Sequence, residues 1–317
     1  MNVLITGGSG FLGRRLARAL LRDGLDGAPL DSLILVDRIA GADLGDARVL
    51  NAVGDIADPA FVAATLTPDI DIVFHLAAVV SGEAEADFDL GMRVNIDASR
   101  LVLDTCRRNG NCPRVVFTSS VAVFGPPEPG AAIDDATSVD PRSSYGMEKA
   151  VAELLLKDYS RRGFVDGVVL RLPTISVRPG QPNRAASSFA SGIIREPLSG
   201  VAAILPVAES TTLWLLSPRR AIEAMMVAAV LETGALGVAR VINLPGVSVS
   251  AAEMLDTLKA VGGDAARSLV SVAPDDAIER IVASWPERWD DGRARAMGFT
   301  GDPDFTAIVR AFVEDDL

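Results

Sequence analysis

Cysteine and histidine are scarce in this chain of 317 residues, which has two cysteines, Cys106 and Cys112, and one histidine, His75. Two cysteines are too few for a disulfide framework, and without a second pair they do not make a zinc site. We therefore expect a reducing compartment and no metal centre. His75 lies at an apolar strand end, so we expect a hydrogen-bonded structural imidazole rather than a catalytic one.

Positive charge is also in short supply, because 30 Lys and Arg face 42 Asp and Glu, a net charge of −12 at pH 7. An acidic protein repels nucleic acid phosphates and anionic lipid, so neither is an expected partner. The apolar stretch 221–231 is too short for a membrane span and is interrupted by Glu223. No basic flank precedes an apolar stretch at the start, so we expect no signal peptide. The expected setting is the cytoplasm, and the expected partner is a small molecule.

What the sequence does have is a regular alternation of short apolar runs and helical stretches in its first half. Strands are predicted at 3–6, 33–36, 49–53, 72–76, 115–118 and 168–172, and helices at 11–22, 59–66, 88–108 and 144–162. This alternation predicts an α/β fold, a Rossmann-type doubly wound parallel sheet covered by helices on both faces.

The alternation ends at Pro173, and the stretch that follows is rich in Pro, Ser, Arg and Gly. A strand, a helix and a strand then follow at 213–216, 218–231 and 238–243. We predict a cofactor domain of residues 1–172 plus 213–245. Residues 173–212 plus 246–317 are predicted to form a smaller, discontinuous C-terminal α/β lobe that binds the substrate.

A glycine-rich segment, residues 6–13 (TGGSGFLG), follows the first strand and opens the first helix. Gly7 permits the tight turn, Gly10 lets the backbone approach a pyrophosphate, and Gly13 lets the helix pack on the strand. The N–H groups of the helix N-terminus would bind the phosphates. The strand before the segment and the helix after it favour a dinucleotide site over a glycine turn without a ligand.

Acidic residues at two strand ends indicate which dinucleotide is bound. Asp37 ends the second strand, where a carboxylate can accept both ribose hydroxyls of NAD and repel the extra phosphate of NADP. Arg38 follows it and could attract that phosphate, so the preference for NAD needs a test. Asp55 can reach the adenine amino group and Ile56 can pack on the ring. The alternative is that an aspartate of this segment only caps the helix at 59.

Tyr145 and Lys149 begin a predicted helix and share one of its faces. The pKa of a free tyrosine is about 10, too high for a base at neutral pH. A neighbouring ammonium favours the phenolate and lowers that pKa. Tyr145 can then take a proton from a substrate hydroxyl as hydride leaves the same carbon. A surface pair on an amphipathic helix is the alternative, but the position after a phosphate loop and five strands favours catalysis.

Together these motifs resemble the extended short-chain dehydrogenases/reductases, a superfamily that includes nucleotide-sugar epimerases and dehydratases. The segments that carry the resemblance are 6–13, Asp37, 54–56 (GDI), 75–78 (HLAA), 94–95 (VN), 119–125 (SSVAVFG) and 145–149 (YGMEK). The resemblance implies NAD as the cofactor. It also implies that Ser120, at the end of the fifth strand, is the catalytic hydroxyl, Tyr145 the acid/base and Lys149 its partner.

The resemblance further implies which residues contact NAD. They are Gly7, Gly10, Phe11, Leu12, Asp37, Asp55, Ile56, Leu76, Ala77, Ala78, Asn95, Tyr145, Lys149 and Pro173. A homodimer is implied as well, in which the helices 88–108 and 144–162 pair with a symmetry mate.

Two departures separate the chain from the sugar-nucleotide enzymes of that superfamily. Its dehydratases carry an Asp-Glu pair after the catalytic hydroxyl, where this chain has Val-Ala at 121–122. Its epimerases often hold the nucleotide phosphates with an arginine where Thr212 stands. An oxidoreductase is therefore favoured over a nucleotide-sugar epimerase with tightly bound NAD. The intact Ser120, Tyr145 and Lys149 argue against a non-catalytic dinucleotide-sensing protein.

A narrower resemblance, to members that oxidise small sugar acids, is carried by residues 79–91, 158–164, 170–180, 186–197 and 217–220. It implies oxidation of the 2-hydroxyl of a four-carbon acid to the 2-keto acid. A carboxylate calls for a guanidinium fork. We expect Arg184 to supply it, by alignment with related uronate dehydrogenases, and expect Arg178 and Arg195 to form salt bridges.

Other residues are expected to contact the substrate or to form the C-terminal part of the protein. Ser81, Ser120 and Thr174 are the expected hydroxyl partners of the substrate. Trp285, Trp289 and Phe299 are expected to form lobe core, and the acidic residues 314–316 a solvated end.

Overall fold

The computed structural model describes residues 1–126, 128, 131–181, 185–282 and 284–317. Its strands, in chain order, are β1 (Asn2–Thr6), β2 (Ser32–Asp37), β3 (Val49–Val53), β4 (Ile72–His75), β5 (Arg114–Ser120), β6 (Asp166–Leu172), β7 (Thr174–Ile175), β8 (Ala203–Leu205), β9 (Thr212–Leu216), β10 (Val241–Asn243), β11 (Val247–Ser250) and β12 (Val270–Val272).

The helices lie between these strands. They are α1 (Phe11–Asp23), α2 (Pro59–Thr65), α3 (Ser81–Ala86), α4 (Phe88–Gly91), α5 (Ala98–Asn109), α6 (Ser144–Arg161), α7 (Phe189–Leu198), α8 (Pro218–Val230), α9 (Thr233–Leu236), α10 (Ala251–Ser268), α11 (Asp276–Val282), α12 (Gly292–Ala296) and α13 (Phe305–Asp316). Within the described ranges, no helix is long and apolar enough to cross a membrane.

The predicted doubly wound sheet is confirmed. In the described part of the chain it has seven parallel strands in the order β10-β6-β5-β4-β1-β2-β3. Successive residues of a strand point to opposite faces of the sheet. On one face, Val3 and Ile5 pack with Leu16 of α1 and Met225 of α8. Leu4 packs with the other layer, formed by α2, α5 and α6. Because the strands are parallel, the carboxyl ends of β1, β4 and β5 meet at one edge, where a ligand is expected.

A second region is built around two small sheets. One has the order β11-β9-β7 and the other pairs β12 with β8. The strand predicted at 213–216 forms as β9, but it pairs with β7 and β11 instead of joining the large sheet. By contrast, β10 does join the large sheet, beside β6. The domain boundaries given above stay a prediction.

The acidic C-terminus is exposed, as the sequence suggests, but its carboxylates also form ion pairs. Asp315 and Asp316 pair with Arg15 of α1. Arg219 of α8 pairs with Glu314 and Asp315, and its Nη2 lies 3.1 and 2.6 Å from their carboxylate oxygens. The last turn of α13 is thus fastened to two helices that cover the seven-stranded sheet. Sequence patterns miss such contacts because the partners lie far apart in the chain.

Candidate active site

The glycine-rich segment turns directly against the loop that follows β4. Gly7 has φ of +71°, and a Cβ on it would lie 2.9 Å from the backbone nitrogen of Ala77. A Cβ on Gly13 would lie 2.2 Å from the carbonyl oxygen of Gly7, so the first turn of α1 closes on the loop only with glycine there. Gly10 precedes α1, which receives no side-chain cap from the described residues. Its first N–H groups can therefore bind an anion such as a pyrophosphate.

The residues predicted to contact the cofactor at this loop and at the strand ends line one cleft of about 430 Å³. They are Gly7, Gly10, Phe11, Leu12, Asp37, Asp55, Ile56, Leu76, Ala77 and Ala78. The set fits NAD, because it combines a backbone cradle for the pyrophosphate, a carboxylate at the end of β2 for the ribose, and apolar side chains for the rings. The individual contacts with NAD stay predictions.

The two carboxylates of the cleft are held differently. Asp37 accepts a hydrogen bond from the backbone N–H of Ser9 at 3.0 Å, which places its side chain beside the glycine loop. Asp55 accepts from the backbone N–H of Ala57 at 2.9 Å and also pairs with Arg93. The bond from Ala57, helped by Arg93, holds the pKa of Asp55 below its usual range. The cap of α2 is supplied by Asp58 instead, so Asp55 is not needed for that purpose.

A smaller pocket of about 170 Å³ adjoins this cleft and contains the predicted catalytic groups. Ser81, Ser120, Tyr145, Pro173 and Thr174 all line it. Ser120 and Tyr145 line it side by side, and the Ser120 hydroxyl acts on the phenol so as to lower its pKa. Ser120 Oγ also accepts from the N–H of Ala122 at 3.1 Å. The predicted serine–tyrosine pair is therefore assembled at the carboxyl end of β5.

Lys149 stands behind Tyr145 on the same face of α6. It is only 2% exposed, and its Nζ donates to the carbonyl oxygen of Thr118 at 3.0 Å. The Nζ lies 5.7 Å from the centre of the Tyr145 ring and 4.8 Å from that of Phe117. Burial lowers the pKa of Lys149 to about 8, against the opposing charges of Glu148 and Glu153.

The pKa of Tyr145 departs from the expectation that Lys149 lowers it. Burial raises this pKa to about 12, because the phenolate loses more hydration than its neighbours restore. The Ser120 hydroxyl and the positive charge of Arg178 oppose that rise. We expected the positive charge of Lys149 to lower the pKa of the phenol. In the protein alone, Arg178 has this effect.

Asn95 and Glu148 form a buried layer beneath the cofactor cleft. Residues Met92–Asp97 are a π-helical segment between α4 and α5, within the predicted helix 88–108. Asn95 lies in that segment and exchanges hydrogen bonds with the backbone of Val79 at 2.9 and 3.0 Å. It also donates to Glu148 at 2.5 Å. A π-helical turn is common at functional sites, and here it aims Asn95 at the loop after β4.

A second buried network lies one turn further along α6 and was not found from the sequence. Arg171 of β6 donates to both carboxylate oxygens of Glu153, at 2.9 and 2.7 Å. Ser119, next to the predicted catalytic serine, donates to the same carboxylate. Both charged side chains are 6% exposed. The network joins α6, which carries Tyr145, to β5 and β6. The sequence signal for this network is Arg171, a charged residue inside an otherwise apolar strand.

The arginine brought into the catalytic pocket is Arg178, not a residue we expected there. Arg178 lines both the cofactor cleft and the small pocket. Its Nη2 is buried and has no hydrogen-bond partner among the described residues. Burial, together with Arg195, lowers the pKa of Arg178. Arg195 itself donates to the carbonyl oxygen of Arg178 at 2.5 Å and pairs with Glu196, so it supports the backbone of Arg178.

Other expected residues stand as follows. Arg184, the predicted carboxylate partner, lies outside the described residues. Trp289 packs on a small hydrophobic cluster and is stacked on Trp214, with ring centres 5.7 Å apart. Phe299 is buried, but in the core of the seven-stranded sheet, so the expectation that it belongs to the lobe core is wrong. Trp285 packs on the core of the second region, as expected, and also lines the catalytic pocket.

His75 is the structural imidazole that we expected. It is 3% exposed, and its two nitrogens lie 2.7 Å from Thr6 Oγ1 and 2.9 Å from Ser99 Oγ. Burial lowers its pKa to about 3. The ring therefore joins the ends of β1 and β4 to α5 in its neutral form.

The chain is similar to known proteins over its whole length. The model of the NAD dependent epimerase/dehydratase family matches residues 3–216. D-erythronate dehydrogenase of Cupriavidus necator is 58% identical over 320 residues, which cover 99% of this chain and 98% of that protein. D-erythronate dehydrogenase of Haemophilus influenzae is 45% identical over 318 residues, which cover 100% of both.

A solved structure shares the fold just as completely. It is the nucleoside-diphosphate-sugar epimerase from Agrobacterium tumefaciens, with a TM-score of 0.94 and 42% identity, covering 100% of this chain and 94% of that one. These findings confirm the predicted resemblance, NAD as the cofactor, and an NAD-dependent oxidoreductase. The chain therefore belongs to the NAD dependent epimerase/dehydratase family.

Proposed function

We propose that this protein uses NAD to oxidise the 2-hydroxyl of D-erythronate, or of a closely similar four-carbon sugar acid, to the 2-keto acid. Two relatives that cover the whole chain bear the name of that activity. The structural observation that carries the choice of an acid is the buried, unpaired Nη2 of Arg178 at the catalytic pocket.

Arg178 is suited to bind a carboxylate for a physical reason. A guanidinium that is removed from water without an anion is costly, and a bidentate carboxylate is the partner that best restores its lost interactions. Tyr145 and Ser120 line the same pocket. A 2-hydroxy acid has its hydroxyl on the carbon next to the carboxylate, so one small ligand can engage both groups. The same role for Arg184 stays a prediction.

The chemistry divides among the residues as follows. Bound NAD would supply the acceptor for the hydride that leaves C2 of the acid, and its positive nicotinamide would lower the pKa of Tyr145 from the value in the protein alone. Ser120 hydrogen-bonds the 2-hydroxyl, and Tyr145 Oη takes its proton. Lys149, held on the carbonyl of Thr118, keeps a positive charge behind the ring. Arg178 fixes the carboxylate and favours the phenolate. The products are the 2-keto acid, NADH and a proton.

The competing candidate is a nucleotide-sugar epimerase, the name of the solved relative. Two features of this chain argue against it. The catalytic pocket holds about 170 Å³, below the roughly 300–1,000 Å³ typical of sites for larger ligands. Thr212 occupies the position where such epimerases often have a phosphate-binding arginine, and its hydroxyl contacts only the carbonyl of Ser210 among the described residues, at 3.5 Å.

Arg178→Ala tests the carboxylate site. A hydrogen-bonded charged pair contributes roughly 1.5–3 kcal/mol, so kcat/KM for the acid should fall about 10- to 150-fold. The loss should largely vanish for the neutral amide of the same acid. Arg178→Lys should rescue only partly, because an ammonium cannot form two parallel hydrogen bonds.

Two further variants locate the effect. Arg219→Ala is the matched control, because Arg219 is paired with the C-terminal carboxylates and should leave kcat/KM unchanged. Arg184→Ala tests the residue chosen from sequence. Full activity of Arg178→Ala with loss in Arg184→Ala would move the carboxylate site to Arg184. Equal activity of all three variants would contradict a carboxylate substrate.

A further inference from the structure

The catalytic pocket is lined mainly by small side chains. Among them are Ser81, Ala122, Thr174, Ala185 and Ser187. The aromatic residues of the lining in the described part of the chain are Tyr145 and Trp285. Trp285 comes from a later part of the chain than the other lining residues, which lie between Leu12 and Ser187.

Trp285 also makes contacts outside the pocket, which hold it in place. It follows α11, and its backbone N–H donates to the carbonyl oxygen of Val282 at 3.0 Å. Its ring is partly buried and packs on the hydrophobic cluster that includes Phe189, Leu255 and Phe305. A large, rigid ring with one side on a core and another on a pocket makes a fixed wall.

We propose that Trp285 sets the length of the acid that the pocket accepts. This inference rests on the proposed function. Ser120, Tyr145 and Arg178 engage the carboxylate and the 2-hydroxyl, so the rest of the carbon chain has to extend along the remaining lining. That lining consists of small and aliphatic side chains and the indole of Trp285. In a pocket of about 170 Å³, the indole leaves room for a four-carbon acid and excludes longer ones.

Trp285→Ala tests the proposal through a ratio of rates. The measured quantity is kcat/KM for a four-carbon aldonate divided by kcat/KM for a six-carbon aldonate of the same configuration at C2. A misfit of one methylene in a pocket changes kcat/KM by about 10- to 200-fold. The ratio should therefore be high in the wild type and fall at least tenfold in Trp285→Ala. Trp285→Phe should give an intermediate ratio.

Trp289→Phe is the matched control, because Trp289 is stacked on Trp214 and lies outside the catalytic pocket. It should lower the melting temperature and leave the ratio unchanged. NAD affinity and melting temperature show whether each Trp285 variant is folded, and Trp285→Phe decides the result if the alanine variant is not.

The possible failures are distinct. An active wild type whose ratio is unchanged in both Trp285 variants would overturn this inference alone. A wild type that oxidises no sugar acid would overturn the proposed function and this inference with it. A ratio that falls as much in Trp289→Phe as in Trp285→Phe would show a general loosening of the lobe and would also overturn the inference.

Discussion

The phenol of Tyr145 performs the proton transfer in the proposed reaction. Tyr145→Phe keeps the ring and its packing but removes the hydroxyl from the pocket that it shares with Ser120. Turnover should fall by ~10²–10⁴-fold or more, the usual contribution of a positioned acid/base group. NAD affinity, measured by titration calorimetry, should change little. Turnover within a few-fold of the wild type would remove Tyr145 from this role.

The carboxylate of Asp37 should decide which dinucleotide is used. It lies beside the glycine loop, bonded to the N–H of Ser9, where it would repel the 2′-phosphate of NADP. Asp37→Ala should therefore narrow the preference of kcat/KM for NAD over NADP about tenfold or more. The loss of Ser9's partner should also raise KM for NAD. A wild type that uses both dinucleotides equally well would contradict this assignment.

At the residue level, the sequence was most informative where chemistry depends on local spacing. The glycines lie close together at 7–13, and Tyr145 and Lys149 lie four residues apart, so each motif can be recognised locally. The structure brings both motifs to neighbouring pockets. The places of Arg178 and Trp285 at the catalytic pocket were not predicted, because they depend on segments far away in the chain. Burial is equally invisible in sequence, which is why the raised pKa of Tyr145 was not expected.

Among the elements, α6 carries the predicted catalytic pair, Tyr145 and Lys149, and is fixed to the sheet by Glu153 and Arg171. Glu153→Gln should leave a buried guanidinium without its anion and cost about 3–5 kcal/mol in the free energy of unfolding, measured in urea. Activity should fall as well, because a neutral amide holds Ser119 and Arg171 less firmly than the carboxylate does.

Arg161→Ala is the control for that prediction on the same helix. It removes an exposed pair with Asp158, whose two side chains are 66% and 55% exposed. Such a pair contributes at most about 1 kcal/mol, so stability should hardly change. An equal and small effect of both variants would show that the buried pair does not anchor α6.

The helix predicted at 88–108 is formed by α4, a π-helical segment and α5. The helical period is correct, but it does not reveal the π-helical segment that contains Asn95. The reason is a tertiary contact: a Cβ on Gly91 would lie 2.3 Å from Glu148 Oε1. The helix therefore approaches α6 closely at a point that only the packing of two distant segments defines.

For the whole molecule, His75 links stability to pH. Its pKa is about 3 in the folded protein and 6.5 when unfolded, so only the unfolded chain binds a proton between these values. Stability should therefore be lost as the pH falls below 6.5. The contribution at pH 5 is about 2 kcal/mol. Between pH 7 and pH 5, His75→Gln should lose less unfolding free energy than the wild type. The same pH dependence in both would contradict this account.

The overall architecture was the part best predicted from sequence. Strand and helix periods in the first half are local, and they specify a parallel sheet with helices on both faces. The small sheet of β7, β9 and β11 was not predicted, because β9 reads like any other buried strand. Similarly, the charges at 314–316 predict an exposed end but do not reveal that it pairs with arginines on other helices.

The most direct measurement of the central claim is NADH formation, followed by absorbance, with purified protein and NAD. The substrates should include D-erythronate, six-carbon aldonates and uronates, and UDP-sugars. We expect rapid NADH formation with D-erythronate, slower formation with the longer acids, and none with the UDP-sugars. Interconversion of UDP-sugars without net NADH, together with no oxidation of any acid, would contradict it.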